Sequence, residues 1–488
     1  MSAAAVASPL PSSTPPFLSP HFRKSYSFRP PNATSQQISL DSTTPKDNPS
    51  SPQPFNKTGA VVVGAGLAGL AAAIRLQAEN IPFVILEASD GVGGRVRTDV
   101  VDGFTLDRGF QIFITAYPEA RKLLDYTALD LQRFYSGARV FYGGGFHTVA
   151  DPLRHFPVAL QSLTNAIGTV ADKLLIGMTR IKLLTRSDHE ILTCPDEVTT
   201  IELLSRIGFS DSIVDRFFRP FFGGIFFDRD LETTSRLFNF VFKCLALGDN
   251  TLPRNGISAI PEQLAAKLNP SSIRLNSKVA SIDLNSDEAV LVKLESGETF
   301  RGYHGVILAM EEFEANKILS GKKMDTGRAK GPVRSTTCLY FSVDADKVPV
   351  NDPVLFLNGS GRGIVNNMFF ATNVAPTYGP PGKGLVSVSL IGTYDGVDDG
   401  ELVRWVVEEL SGWFGSAVVG SWRHLKTYRV GYAQPNQCPP TDLMKEPKAG
   451  QNLYLCGDYM TSSTFDGALV SGRRAAEALL RDRVAVKL

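Results

Sequence analysis

The chain has 488 residues, with 50 Lys and Arg against 49 Asp and Glu and a hydrophobic share of 43%. That length exceeds one compact core, so two intertwined domains and a tail are expected, and the near-neutral charge excludes a large basic field for nucleic acid. No apolar run reaches the roughly 18–20 residues that span a bilayer, and the cysteines at 194, 244, 338, 438 and 456 form no CxxC pair, which argues against a disulfide framework or zinc site and fits a reducing compartment.

Residues 1–57 differ from the rest. Residues 1–40 hold no Asp or Glu, many Ser and Pro, and the cations Arg23, Lys24 and Arg29. No apolar stretch of the secretory kind follows the start, so the segment reads as an organelle transit peptide. Its Pro-rich Ser/Thr tracts make poor amphipathic helices, which favours the chloroplast over the mitochondrion.

The first strong motif begins at Ala60. An apolar β-type run, Ala60–Val63, leads into Gly64-Ala65-Gly66-Leu67-Ala68-Gly69, then an Ala/Leu-rich helical stretch to Glu79, then the strand Phe83–Leu86 closing on Glu87. Strand, glycine turn, helix, strand and acid make one βαβ nucleotide-binding unit. Gly64 permits the tight turn, Gly66 lets backbone approach a pyrophosphate, and Gly69 lets helix pack on strand. The helix N-terminus offers N–H groups to phosphate, and the Glu87 carboxylate, followed by Ala88, suits ribose hydroxyls. NAD and FAD both remain open at this point.

Just beyond lies Gly93-Gly94-Arg95, and then Gly103-Phe104-Thr105-Leu106-Asp107-Arg108-Gly109-Phe110-Gln111. Far downstream, the strand Asn452–Cys456 ends in Gly457-Asp458, followed by Asp466-Gly467-Ala468 and a Ser-Gly, Ala-Ala helix. Together these resemble the superfamily of flavin-containing amine oxidases, protoporphyrinogen oxidases and phytoene desaturases. The resemblance implies a Rossmann-like α/β FAD-binding domain interrupted by a mixed α+β substrate domain. It implies non-covalent FAD, with Gly94 and Arg95 on the flavin side of the dinucleotide and Gly109 and Phe110 passing close to the isoalloxazine. It places the Val279 backbone at the adenine and Asp458 at the ribityl chain or phosphates. The Gly467-Ala468 helix start would turn its N–H groups toward the flavin N1/O2 edge, where they would stabilise charge. Asp107 reads equally as a turn or capping residue, and Arg97 as a surface strand residue.

The FAD pieces so expected are 58–119, 249–311 and 445–488, with substrate-domain pieces at 120–248 and 312–444. Patterning predicts helices from Phe156 to Leu184 and from Thr199 to Phe218. The stretch His155–Leu184 reads either as a bundle helix or as a helix on a membrane surface with Lys173, Arg180 and Lys182 on its polar side. The aromatic cluster Phe217, Phe218, Phe221, Phe222, Phe226 and Phe227 reads as core or as cavity lining, and Arg216, Arg219 and Arg236 are candidates to hold a carboxylate. Gly359–Gly363 is spaced as a hairpin turn and offers no second dinucleotide site. Many amine oxidases of the superfamily place a lysine near the flavin. The matching segment, Arg334–Phe341, has none, and Cys438 lacks the setting of a covalent flavin link. The expected activity is therefore hydride removal from a mainly apolar, isoprenoid or tetrapyrrole substrate to flavin N5. Amine or polyamine oxidation is the first alternative, and flavin-dependent isomerisation is also open. A non-enzymatic prenyl- or lipid-binding role of the Rab-escort type is the last, and Glu87, Arg95 and Asp458 weigh against it.

Overall fold

In the computed structural model the described residues are 56–151, 154–155, 165–284, 289–319 and 332–485. Residues 1–55, where a transit peptide is expected, and 156–164 of the first predicted helix lie outside them.

The strand Asn56–Val63 is buried from Gly59 onward, as its alanine and valine run requires. The helix Leu67–Ala78 presses Ala68, Ala71, Ala72, Ala73, Leu70 and Leu76 inward. Alanine is the best helix former, and its small side chain lets the helix lie close to the sheet. The helix stops before Asn80, which takes the left-handed conformation at φ 55°, and Pro82 follows. Phe83–Leu86 then pairs parallel with the first strand, Ala60 opposite Phe83 and Val63 opposite Leu86. On the other side of the first strand runs Thr299–Leu308, also parallel. Its second half pairs in turn with Leu453–Leu455, and its first half with Val290–Leu294. The eight-stranded sheet thus has the order Ile273–Arg274, Phe83–Leu86, Asn56–Val63, Thr299–Leu308, Val290–Leu294, Val279–Asp283, with Leu453–Leu455 beside the fourth strand and Lys448–Gly450 paired to Leu453–Leu455. One face carries the helices Leu67–Ala78 and Phe465–Ala485. The other packs Val61, Val63, Val84 and Leu86 against Ala315 and Leu319. Parallel strands covered on both faces read as unbroken apolar runs, which is why they were visible in the sequence.

A seven-stranded sheet follows the order Arg423–Gln434, Arg334–Asp344, Lys383–Ile391, Val365–Phe370, Leu355–Asn358, Gly137–Tyr142, Gly145–Ala150. Only Leu355–Asn358 and Gly137–Tyr142 pair parallel. One face buries Leu339, Phe341, Val386 and Val388 against the helix Asp399–Phe414, which presents Leu402, Val406, Leu410 and Trp413 at helical spacing. The opposite face, with Cys338, Tyr340 and Phe369, packs against Phe104, Leu106 and Phe134. The Gly359–Gly363 segment joins Leu355–Asn358 to its antiparallel neighbour Val365–Phe370, so it is a hairpin turn.

The predicted Thr199–Phe218 helix is not continuous. It runs from Thr200 to Ile207 and stops at Gly208, whose φ is 96°. Ser210 caps a new start. Because Pro220 has no N–H, the chain winds as a π turn over Val214–Phe218, with the Arg219 N–H reaching back to the Val214 carbonyl. In the helix Arg219–Phe226 that follows, Phe222 and Phe226 join Phe218 and Phe238 in the core. Phe217 and Phe221 stack on each other at 5.3 Å and touch the second sheet's cluster as well.

A candidate dinucleotide site between the two sheets

The residues singled out in the sequence converge at the carboxyl ends of the parallel strands, where open α/β sheets bind their ligands. Gly64 has φ +103°, and a Cβ there would stand 2.4 Å from the Ala309 carbonyl oxygen. At Gly66, by contrast, a Cβ would meet nothing closer than 4.0 Å, so this glycine leaves an open approach. It caps the helix Leu67–Ala78 with no side-chain hydrogen bond and no acid in the first turn. The N–H groups of that turn are left to an anion from outside the chain. Ala65 donates its N–H to Glu87 Oε2 at 2.7 Å, while Glu87 Oε1 accepts from the Ser89 N–H and hydroxyl. The carboxylate is buried and held at the strand end; Ala88 beside it is exposed. Val279 opens its strand a short distance away, since Ser277 N–H donates to the Glu87 carbonyl at 2.7 Å.

The Gly93-Gly94-Arg95 turn lies directly over the glycine loop. Gly66 and Gly93 form a parallel bridge, and Gly94, at φ +60°, passes so close that a Cβ would lie 3.5 Å from the Gly66 Cα. Arg95 Nη1 donates to Asp458 Oδ2 at 2.8 Å and to the Ala433 carbonyl at 2.8 Å, and its guanidinium lies over the Tyr432 ring. Burial opposes the charge on Arg95, but the Asp458 carboxylate more than offsets it and holds the group protonated. Gln111 donates to the Arg95 and Arg108 carbonyls, so Gly109 and Phe110 ride on the same turn. Phe110 meets Phe369 of the second sheet edge-on at 5.5 Å. Arg97, in contrast, pairs with Asp90.

At the other end, Gly457 N–H donates to the Ser471 hydroxyl and Asp458 is buried. The helix Phe465–Ala485 starts beyond Thr464, whose hydroxyl accepts the Gly467 N–H and whose carbonyl accepts the Ala468 N–H. Those two donors are thus engaged within the cap, and Gly467 and Ala468 contribute chiefly their small size. The sequence reading missed the polar run that completes this wall. Gln437 donates to the Thr461 carbonyl and accepts from the Ser463 N–H, while Gln434 joins the Ile225 carbonyl to the Ser463 hydroxyl. Its only signal was the Gln-Pro-Asn-Gln run at the end of a strand.

Asp107 is a structural tie. It is buried and accepts from Thr98 Oγ1, Ile257 N–H and Tyr378 OH, while its carbonyl accepts from Tyr340 OH. Burial raises its pKa from 3.8 to about 6. Folding therefore favours the protonated acid, and that stabilisation is complete below the unfolded pKa near 3.8 and lost as pH rises through about 6. In Asp107→Asn, which keeps the shape without the charge, the stability of wild type relative to the variant should fall by about 2–3 kcal/mol between pH 4 and pH 7. Chemical denaturation across that range reads it directly, and a pH-independent difference would show that the carboxyl is ionised throughout. The three candidate arginines are likewise engaged within the fold: Arg216 with the Ala166 carbonyl and the Tyr142 ring, Arg219 with Asp215, Arg236 with the Cys194 and Thr441 carbonyls.

These residues fit FAD. An uncapped helix start and a glycine with open space would take the diphosphate, Glu87 a ribose, and Arg95 with Gly109 and Phe110 the part facing the second sheet. Bound FAD supplies a two-electron acceptor. The chain's own part would be to hold it at the ends of the parallel strands; Phe110, which follows the turn, joins Ile112, Phe217 and Phe221 as half-buried apolar groups packed on the core of the second sheet. Fold and site together define an FAD-dependent oxidoreductase.

Comparison with known proteins agrees. Residues 67–480 match the family described as flavin containing amine oxidoreductase, and the chain belongs to it. It is 22% identical to the 15-cis-phytoene desaturase of Capsicum annuum over 89% of this chain and 79% of that one. A 30% identity to the coproporphyrinogen III oxidase of Propionibacterium freudenreichii covers 34% of this chain and 31% of that one. Among solved structures, a putrescine oxidase bound to putrescine superposes with a TM-score of 0.64 at 17% identity, over 88% of this chain and all (100%) of that one. A reduced UDP-galactopyranose mutase gives 0.60 at 15%, over 87% and 96%.

Proposed function

We propose that this oxidoreductase removes two hydrogens from a C–C or C–N bond of a mainly apolar plastid substrate, an isoprenoid or a tetrapyrrole. The observation that carries this is the apolar cluster that Phe110 joins directly after the cofactor turn. Phe110, Ile112, Phe217 and Phe221 are only partly buried, although Phe110 follows directly on the turn that Gln111 fixes to Arg95. Hydride removal from such a substrate asks for alignment and dryness more than for a strong acid or base. The extended likeness to chloroplast phytoene desaturases supports an isoprenoid, and the shorter likeness to a coproporphyrinogen oxidase supports a tetrapyrrole. The acid-free segment 1–40 supports import into a plastid.

The test is an absorption spectrum of the purified protein, before and after denaturation, followed by anaerobic mixing with candidate substrates. We expect a flavin band whose chromophore leaves the chain on unfolding. We expect it to bleach with a hydrogenated carotene or a porphyrinogen and not with putrescine. Bleaching by putrescine alone would overturn the substrate class in favour of amine oxidation. A folded protein that stays colourless when supplied with FAD would leave lipid binding without chemistry.

A further inference from the structure

The helix Val170–Leu184 carries its apolar residues on the wrong side for a bundle helix. Val170, Leu174, Met178, Ile181 and Leu184 are 51%, 64%, 58%, 67% and 38% exposed. Their spacing of four, four, three and three residues sets them on one continuous face. The opposite face holds the buried Asp172, Thr179 and Leu183. Lys173 and Arg180 fall along one edge of the exposed stripe and Lys182 along the other. Asp172 is the helix's single acid, and it is buried, taking hydrogen bonds from Ser210 and closing a capping box with Thr169, so the exposed face bears no negative charge. Arg180 is fixed by Asp151 and the Ala246 carbonyl, which brings Leu247, 53% exposed, alongside the same edge.

We propose that this face docks on a lipid bilayer carrying anionic headgroups, with the helix lying in the plane of the interface. The stripe enters the acyl boundary while the exposed Lys182 on one edge reaches up to the headgroups and Lys173 on the other, which donates to Asn165 Oδ1 at 3.3 Å, adds positive charge beside them. No helix among the described residues is long and apolar enough to cross a membrane, so the contact is peripheral. A second copy of the chain fits the face poorly. A helix of 15 residues is about 22 Å long, and a stripe about 10 Å wide offers about 220 Å². A stable dimer buries about 800 Å² per partner. The charge pattern also opposes self-pairing, since two such faces would bring lysines against lysines.

The experiment is vesicle flotation with the full-length chain, using phosphatidylcholine vesicles with and without about one third phosphatidylglycerol. Wild type is compared with the triple variant Leu174→Gln, Met178→Gln, Ile181→Gln and with the double variant Lys173→Gln, Lys182→Gln. We expect wild type to float with the anionic vesicles. The triple variant should be recovered at least about tenfold less, with unchanged circular dichroism and flavin content, and the lysine variant should lose its preference for phosphatidylglycerol. Equal flotation of wild type and triple variant would assign binding to another segment, and absence of wild-type flotation would leave the face without a bilayer; either overturns the proposal. So would light scattering that shows a wild-type dimer dissociating in the triple variant.

Discussion

Gly472→Ala should loosen the cofactor domain and strip it of FAD. Gly472 lies where the helix Phe465–Ala485 crosses the helix Leu67–Ala78. A Cβ there would stand 1.9 Å from the Ala68 carbonyl oxygen and 3.0 Å from the Ala72 nitrogen. Both neighbours are backbone, so no rotamer change relieves the contact and one helix must move. Overpacking of this kind costs about 1–3 kcal/mol. The movement is also transmitted to the glycine turn, because Ala68 sits in the first turn of the helix that faces the diphosphate. We therefore expect a lower Tm and FAD bound at least about tenfold more weakly, a factor equivalent to about 1.4 kcal/mol. Arg481→Ala, exposed on the same helix, serves as the neutral control. A Gly472→Ala protein with wild-type Tm and full flavin occupancy would show that the two helices can part without consequence.

Arg95→Gln should weaken FAD binding about 30-fold, the equivalent of about 2 kcal/mol. The Arg95 guanidinium joins three distant parts of the chain: its own turn, the Ala433 carbonyl, and Asp458 at the end of the last parallel strand. Removing it leaves the buried Asp458 carboxylate without its cation. Breaking a fully buried pair costs about 3–5 kcal/mol; Arg95 is 36% exposed, so solvent screening lowers the figure. Arg95→Lys should fall between, because an ammonium keeps a cation for Asp458 but loses the planar guanidinium that lies over the Tyr432 ring. Combining Arg95→Gln with Asp458→Asn should cost less than the sum of the single changes, since each removes the other's reason for being there. Titration of the apoprotein by flavin fluorescence quenching measures all four, and wild-type affinity in Arg95→Gln would refute the role.

What could be read from the sequence was what a few adjacent residues impose by themselves. The turn from Val63 to Gly69 demands glycine for local reasons, and buried parallel strands such as Val61–Val63 and Leu453–Leu455 show as apolar runs. Glu87 and Asp458 were legible because each ends such a strand. Gln434 and Gln437 were not, because only the path of the long strand Arg423–Gln434 across the second sheet brings them to Ser463. The break after Ile207 was hidden because the apolar spacing continues through Gly208 and Pro220 while the backbone does not. The hydrogen bonds at Gly467 and Ala468 could not be foreseen either, since the Thr464 cap decides them. Asp466 is similar: its carboxylate accepts the Glu119 and Ala120 N–H groups, a partnership between remote segments, and burial there raises its pKa to about 6.

The pairing of Leu453–Leu455 with Thr299–Leu308, and of that strand with Asn56–Val63, sets an order of events during synthesis. The glycine turn Gly64–Gly69 leaves the ribosome long before the strand that leads to Asp458 and the helix Phe465–Ala485 that covers the turn. A nascent chain therefore exposes an unpaired parallel strand edge until its distant partners have been made, and contacts of such sequence separation form slowly. Loss of the helix Phe465–Ala485, even with every motif before it intact, should yield a chain that aggregates before it can take up its cofactor.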